Sequence, residues 1–268
     1  MRLSIDCRLR YDVRAPTSFI LAIQAADGAD QDVHDETILL PPGITADFFV
    51  DAFAGNRFIR FLAQPGPLDI GYVAEVERRS VVDQRDFIGG EVVNDLPLTV
   101  LPYLNPSRYC PSDRLTAFAR QTFGTRPQGL GQAQAITDWI AASIAYEAGT
   151  SSGATSALDT LVDRVGVCRD FAHLGVTLCR ALDMPARFVS CYALDLRPAD
   201  FHAVFQVYLG GAWRTFDPTR RAPLAGLVPI GFGRDAADVA FAATFGDARF
   251  EAKSIAIRQL ETSSAPGN

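Results

Sequence analysis

At 268 residues, 48% hydrophobic and 21% charged, the chain has the composition of an ordinary globular protein, with length for one large domain or two of moderate size. A formal net charge of −6 without any run of Lys or Arg argues against a nucleic-acid partner. No apolar run approaches the roughly 20 residues of a membrane-spanning helix. The charged start Met1-Arg2-Leu3-Ser4-Ile5-Asp6 carries no secretory signal, so the expected setting is the cytoplasm, without membrane association.

Residues 1 to about 105 hold short β-rich runs at Arg2 to Tyr11, Ser18 to Ala25, Phe58 to Leu62, Leu68 to Val76 and Leu98 to Leu101. Pro41-Pro42-Gly43, Gly55-Asn56 and Pro65-Gly66-Pro67 punctuate them, which predicts an all-β, sandwich-like module. Four prolines between Leu96 and Pro111 predict an extended linker, and the domain boundary is placed there. The next elements read as helices: Ser112 or Asp113 to Phe123, about Gly131 to Ala148 with Trp139 and Tyr146 at helical spacing, Ser156 to Arg164, and Cys168 to about Leu182. Strands follow at Arg187 to Ala193, Phe201 to Leu209, Ala212 to Phe216 and Ala248 to Leu260. Helices first and an antiparallel sheet after them make the second domain, residues 106–262, α+β; residues 263–268 read as a polar tail.

Five cysteines are an odd number in a chain without a secretory signal, so free thiols are expected. Cys168 stands apart because it follows Gly166-Val167 at the start of a helical pattern. There, unpaired N–H groups and the positive end of the helix dipole favour a thiolate and can receive an oxyanion. Cys179 is a control: eleven residues on, it returns to nearly the same azimuth about 16 Å along the axis, among core residues.

His202 and Asp217 follow from the Gly210-Gly211 hairpin signal. If Leu209 pairs with Ala212, Asp217 falls opposite Val204, and His202 is its diagonal neighbour at about 7–8 Å, which the two side chains can bridge. A three-residue loop would reverse the parity and separate them. A thiol nucleophile, an imidazole base and an orienting carboxylate form an acyl-transfer triad. The blander readings are a half-buried histidine for His202 and a turn-starting aspartate for Asp217. Trp213 shares the strand face of Asp217, where it either shields the Asp–His bond or simply packs. Asp170 and Arg169, in the first helical turn, are candidates for supporting the site or binding substrate. His173 points elsewhere and reads as structural, and His34 reads as surface. Without Cys-x-x-Cys or His-x-x-x-His spacing, no metal or other cofactor is expected.

These residues resemble the transglutaminase-like superfamily. The matching motifs are Gly166-Val167-Cys168, His202-Ala203 and Asp217-Pro218-Thr219, separated by 34 and 15 residues. The passage Leu178 to Arg187 is similar as well. Cys168 to Leu174, Pro106 to Cys110 and a β module at the front resemble in particular bacterial transglutaminase-like proteins described as cysteine proteases on inference. The resemblance implies a papain-like core, with Cys168 as nucleophile, His202 as base and Asp217 as orienter. It departs at Val204, where many members carry tryptophan after His-Ala. The expected function is acyl transfer on peptide or carboxamide bonds of a peptide or protein substrate, with water resolving the thioester. An amine acceptor would make it a transglutaminase; a non-catalytic binding protein on the same fold is the third reading.

Overall fold

The computed structural model describes residues 1–28, 30–79 and 89–260, so the tail at 263–268 lies outside the described residues. In chain order the strands β1 (Arg2–Val13), β2 (Thr17–Leu21), β3 (Gln31–Leu39), β4 (Ala46–Val50), β5 (Arg57–Ala63) and β6 (Gly66–Arg78) come first. Then follow α1 (Thr116–Phe123), α2 (Leu130–Ser143), β7 (Ala145–Tyr146), α3 (Ala157–Asp163), β8 (Val165–Gly166) and α4 (Cys168–Arg180). The chain closes with β9 (Ala186–Ala193), β10 (His202–Leu209), β11 (Ala212–Phe216), β12 (Leu227–Gly233), β13 (Ala242–Phe245) and β14 (Ala248–Gln259).

Alternation in β1 turns Leu3, Ile5, Cys7, Leu9, Tyr11 and Val13 inward and leaves the residues between them at the surface. The same pattern in β5 and β6 supplies Ile59, Phe61, Ile70, Tyr72 and Val76 to one core. Two four-stranded sheets, in the orders β14-β1-β6-β3 and β13-β2-β5-β4, enclose it as a sandwich. The sequence missed β3 and β4 because these strands lie at the sheet edges with mostly exposed residues, so neither carries a clear apolar alternation.

The third sheet, β11-β10-β9-β12, is antiparallel, and α4 packs on it through Phe171, Leu174 and Leu178 against Phe188, Phe205 and Val207. Gly175 lets this approach be close: a β-carbon there would stand 2.5 Å from the Phe205 ring. This sheet also runs into the sandwich. Tyr192 from β9 and Val228 and Ile230 from β12 belong to the sandwich core, and the Tyr192 hydroxyl donates to the Ile23 carbonyl at 2.6 Å.

Three sequence expectations change. β13 and β14 pair with β2 and β1, so the C-terminal strands complete the first sandwich although they follow the helical half in sequence. The Leu98 to Leu101 run forms no strand but leads into a 3-10 turn at Leu101–Leu104, where Pro102 removes a donor. The second helix ends at Ser143, and Tyr146 stands on β7 rather than on a helix face.

The proline-rich stretch is tied down by Arg180, the last residue of α4. Its buried guanidinium donates to the carbonyls of Asn105, Ala186 and Arg234 and to Ser107 Oγ, at 2.7–3.2 Å. Gly175→Val places a branched side chain against the fixed Phe205 ring; we expect a stability loss of about 2–3 kcal/mol in urea unfolding. An unchanged midpoint would contradict the close helix–sheet contact.

Candidate active site

The Gly210-Gly211 loop has positive φ at both residues, 60° and 75°, the conformation a two-residue hairpin turn requires. Leu209 pairs with Ala212 and Phe205 with Phe216, so the register is the one that puts Asp217 diagonal to His202. The His202 Nε2 and Asp217 Oδ2 atoms lie 2.8 Å apart, with both side chains almost fully buried. The motif Asp-Pro-Thr has a physical role here. The Thr219 N–H and hydroxyl both donate to Asp217 Oδ1, at 2.9 and 2.7 Å, which leaves Oδ2 turned to the imidazole. Asp217 therefore starts a turn and orients a histidine at once.

Cys168 is the first residue of α4. The helix start is shaped by Asp170, whose Oδ2 accepts the Val167 N–H at 2.8 Å. Gly166 is required for this: a β-carbon at that position would stand 2.8 Å from the Asp170 β-carbon. Asp170 Oδ1 also accepts from Ser151 Oγ at 3.0 Å, and Arg169 bonds Ser151 Oγ and the Ser152 carbonyl. Asp170 and Arg169 thus hold the loop before α3 against the start of α4, and Arg169 reaches over the Tyr109 ring.

Burial separates the cysteines as the sequence expected. Cys7, Cys110, Cys179 and Cys191 are buried, whereas Cys168 is part-exposed. Desolvation pushes the thiol of Cys7 up to about 11 and that of Cys110 up to about 12, and raises those of Cys179 and Cys191 further. These four thiols are held protonated and inert.

His202 behaves in the opposite sense to its burial. Desolvation alone would lower its pKa, but the hydrogen bond to Asp217 and the contacts with Cys168 overcome this and push it up to about 9. Its Nδ1 is buried and makes no bond of regular geometry. Cys168 is among the groups whose charge raises the imidazole pKa. The imidazole is thus set between a carboxylate and a thiol, the order a nucleophile–base–orienter relay needs.

The other sequence candidates fall elsewhere. Trp213 is four residues from Asp217, about 13 Å along a strand; its ring meets Tyr103 and Tyr208, and Arg187 stacks on it 4.2 Å from the centroid. It packs and does not shield the His202–Asp217 bond. His173 is fully buried between the Tyr109 and Phe188 rings, and its Nε2 accepts the Ala236 N–H at 3.1 Å. His34 is at the surface on β3, 3.9 Å from Glu77. Val204 is buried in a small cluster with Val189 and Cys191. Among the described residues, no group of three or more His, Cys, Asp or Glu side chains is arranged to hold a metal ion. None of their helices is long and apolar enough to cross a membrane.

The sequence missed Tyr146. The structure sets it on β7, paired with Gly166 of β8, where burial first and the charge on Cys168 next push its phenol pKa up to about 12. The signal available was the pair Ile144 and Tyr146 alternating after the helix, one buried and one exposed.

Helices packed on an antiparallel sheet behind a β module make a fold that known proteins share. Residues 116–218 match the profile of the transglutaminase-like superfamily, and residues 1–99 that of the bacterial transglutaminase N-terminal domain. The crystal structure of a “putative cysteine protease” from Cytophaga hutchinsonii superposes with a TM-score of 0.94 at 42% identity, covering 99% of this chain and 93% of that one. An uncharacterized protein of Mycobacterium leprae is 32% identical over 146 residues, 51% of this chain and 52% of that protein, so the match spans about half the length of that curated relative. The chain belongs to the transglutaminase-like superfamily, in the form that carries the bacterial N-terminal domain.

Since the folded pKa of His202, about 9, exceeds the unfolded value of about 6.5, its contribution to stability is complete below the unfolded value and is lost as the pH rises through about 9. Asp217→Asn should lower the imidazole pKa, followed by NMR titration, and flatten this part of the stability profile. An imidazole that still titrates near 9 in the variant would show that the carboxylate is not the cause.

Proposed function

We propose that the protein is a cysteine-dependent acyl-transfer enzyme acting on peptide or carboxamide bonds, with water as the acceptor. The observation that carries this reading is the buried 2.8 Å bond between His202 and Asp217 beside the part-exposed Cys168 at a helix start. Cys168 sulfur attacks the carbonyl carbon, and the carbonyl π pair moves to oxygen, next to the Cys168 backbone N–H. His202, held as imidazolium by Asp217, gives its proton to the leaving amine as the C–N bond breaks. The thioester is then cleaved by water, with His202 taking the proton. Among the five thiols, only Cys168 combines access with a helix start, which favours it over a purely structural assignment.

A glutaminyl peptide with and without a primary amine tests the reading. We expect ammonia release with little amine incorporation, and Cys168→Ala should lower the rate by at least about 10⁴-fold, the scale on which single triad members act. Dominant amine incorporation would convert the reading to a transglutaminase. Equal activity in Cys168→Ala would remove the nucleophile altogether and leave a binding protein on this fold.

A further inference from the structure

Arg221 is a cation that the fold holds in place beside the start of α4 and, among the described residues, leaves without a counter-charge. Two separate ties fix it. On one side its guanidinium lies 4.3 Å from the centroid of the Tyr146 ring. Tyr146 pairs with Gly166, two residues before Cys168, and its ring meets that of Phe171, three residues after Cys168, with centroids 5.8 Å apart. On the other side the Arg221 backbone N–H donates to Thr219 Oγ1 at 3.3 Å, and that hydroxyl donates at 2.7 Å to Asp217, the carboxylate bonded to His202. Arg221 therefore spans from the turn that carries Asp217 to the strand beside the start of α4, and both it and Tyr146 are exposed there.

The guanidinium is oriented but not neutralised. A ring face sets its plane, and one of its N–H groups donates to the Arg197 carbonyl at 2.7 Å. A guanidinium carries five donors in a rigid fork, so this side chain keeps donors for a carboxylate. The carboxylates of the site are committed elsewhere. Asp217 is bonded to His202 and Thr219, Asp170 to the Val167 N–H and Ser151, and Asp138 pairs with the neighbouring Arg220. Among the described residues no carboxylate forms an ion pair with Arg221, that of Glu147 beside Tyr146 included. We propose that Arg221 is a specificity-determining residue that binds a carboxylate of the substrate, so that the protein acts on peptide-like substrates with a negative charge beside the reacting bond. This rests on Cys168 being the nucleophile. A substrate lying along the exposed rim from Cys168 to Arg221 displaces water from between the two charges, and their attraction rises as the local dielectric falls.

Reagents that alkylate the sulfur test this without a known substrate. Attack of the sulfur lone pair on the iodinated carbon forms a C–S bond and expels iodide, so each reagent reports how the rest of it is received. N-iodoacetylglycine is compared with N-iodoacetylglycinamide, which replaces a terminal carboxylate by an amide. The α-amide of N-iodoacetylglutamic acid is compared with that of N-iodoacetylglutamine, which does the same for a side-chain carboxylate. Rates of labelling at Cys168, read by mass spectrometry, are measured on the wild type, Arg221→Gln and Arg221→Lys, with Tm as the check on folding. We expect Arg221→Gln to lower the acid-to-amide rate ratio about tenfold for one pair or both, and to leave the amide reagents within about twofold of the wild type. Arg221→Lys should give an intermediate ratio, since it supplies the charge without the fork. The pair that responds identifies the source of the carboxylate. A ratio unchanged or raised for both pairs overturns the inference alone. Equal slowing with acid and amide reagents also overturns it, because the arginine would then act on the thiol or the fold. A wild type whose Cys168 is labelled by the amide reagents no faster than free cysteine overturns the reading of Cys168 as nucleophile, and the inference falls with it.

Discussion

Gly175 brings the backbone of α4 down on the ring of Phe205, so close that any β-carbon would overlap it. From that contact Cys168 lies seven residues back along the helix, about 10.5 Å at 1.5 Å per residue. His202 lies three residues back along β10, about 10 Å at 3.3–3.4 Å per residue. The two distances agree, so the thiol and the imidazole reach the same level of the fold from one shared point of packing. The core around this point, with Phe171, Leu174, Phe188 and Val207, resists sliding because interiors are packed nearly as densely as crystals.

The two ends of α4 are then fastened by different chemistry. At the start, Asp170 folds back over Gly166 to take the Val167 N–H, which shapes the turn that presents Cys168. At the finish, Arg180 satisfies carbonyls from three separate segments with one rigid guanidinium. Among the described residues no carboxylate is bonded to its charge, and burial lowers its pKa. The cost of that desolvation is offset by carbonyl oxygens that would otherwise be buried without donors. The helix that begins with Cys168 is thereby anchored to the linker, to β9 and to the loop after β12.

Much of the site was legible because it depends on local rules. The helix start, the two-glycine turn and the period of two along β10 and β11 require only neighbouring residues, and together they place His202 diagonal to Asp217. Tyr146 was not legible for the same kind of reason: the apolar spacing of α2 runs on through Ile144 and Tyr146, and only the pairing of β7 with β8 takes the chain out of the helix. Trp213 shows the converse error. It shares a face with Asp217 by parity, but the length of the strand sets it with Tyr103 and Arg187, well away from the imidazole. Edge strands β3 and β4 escaped because exposure removes the alternation that reveals a strand.

The sequence by itself determined which of five thiols begins a helix, which of three histidines has an aspartate at the right register, and that strands precede helices along the chain. Tertiary structure decided what distant segments do to each other. It closed the first sandwich with the last two strands, since β1 and β2 have free edges that only β14 and β13 fill. It buried Tyr192 in the sandwich core and so joined the sheet of β9 and β10 to the N-terminal module. It paired Tyr146 with Gly166, two residues before Cys168, as well. These are contacts between residues far apart in the chain, and no local periodicity encodes which exposed edge or open helix start will receive which partner.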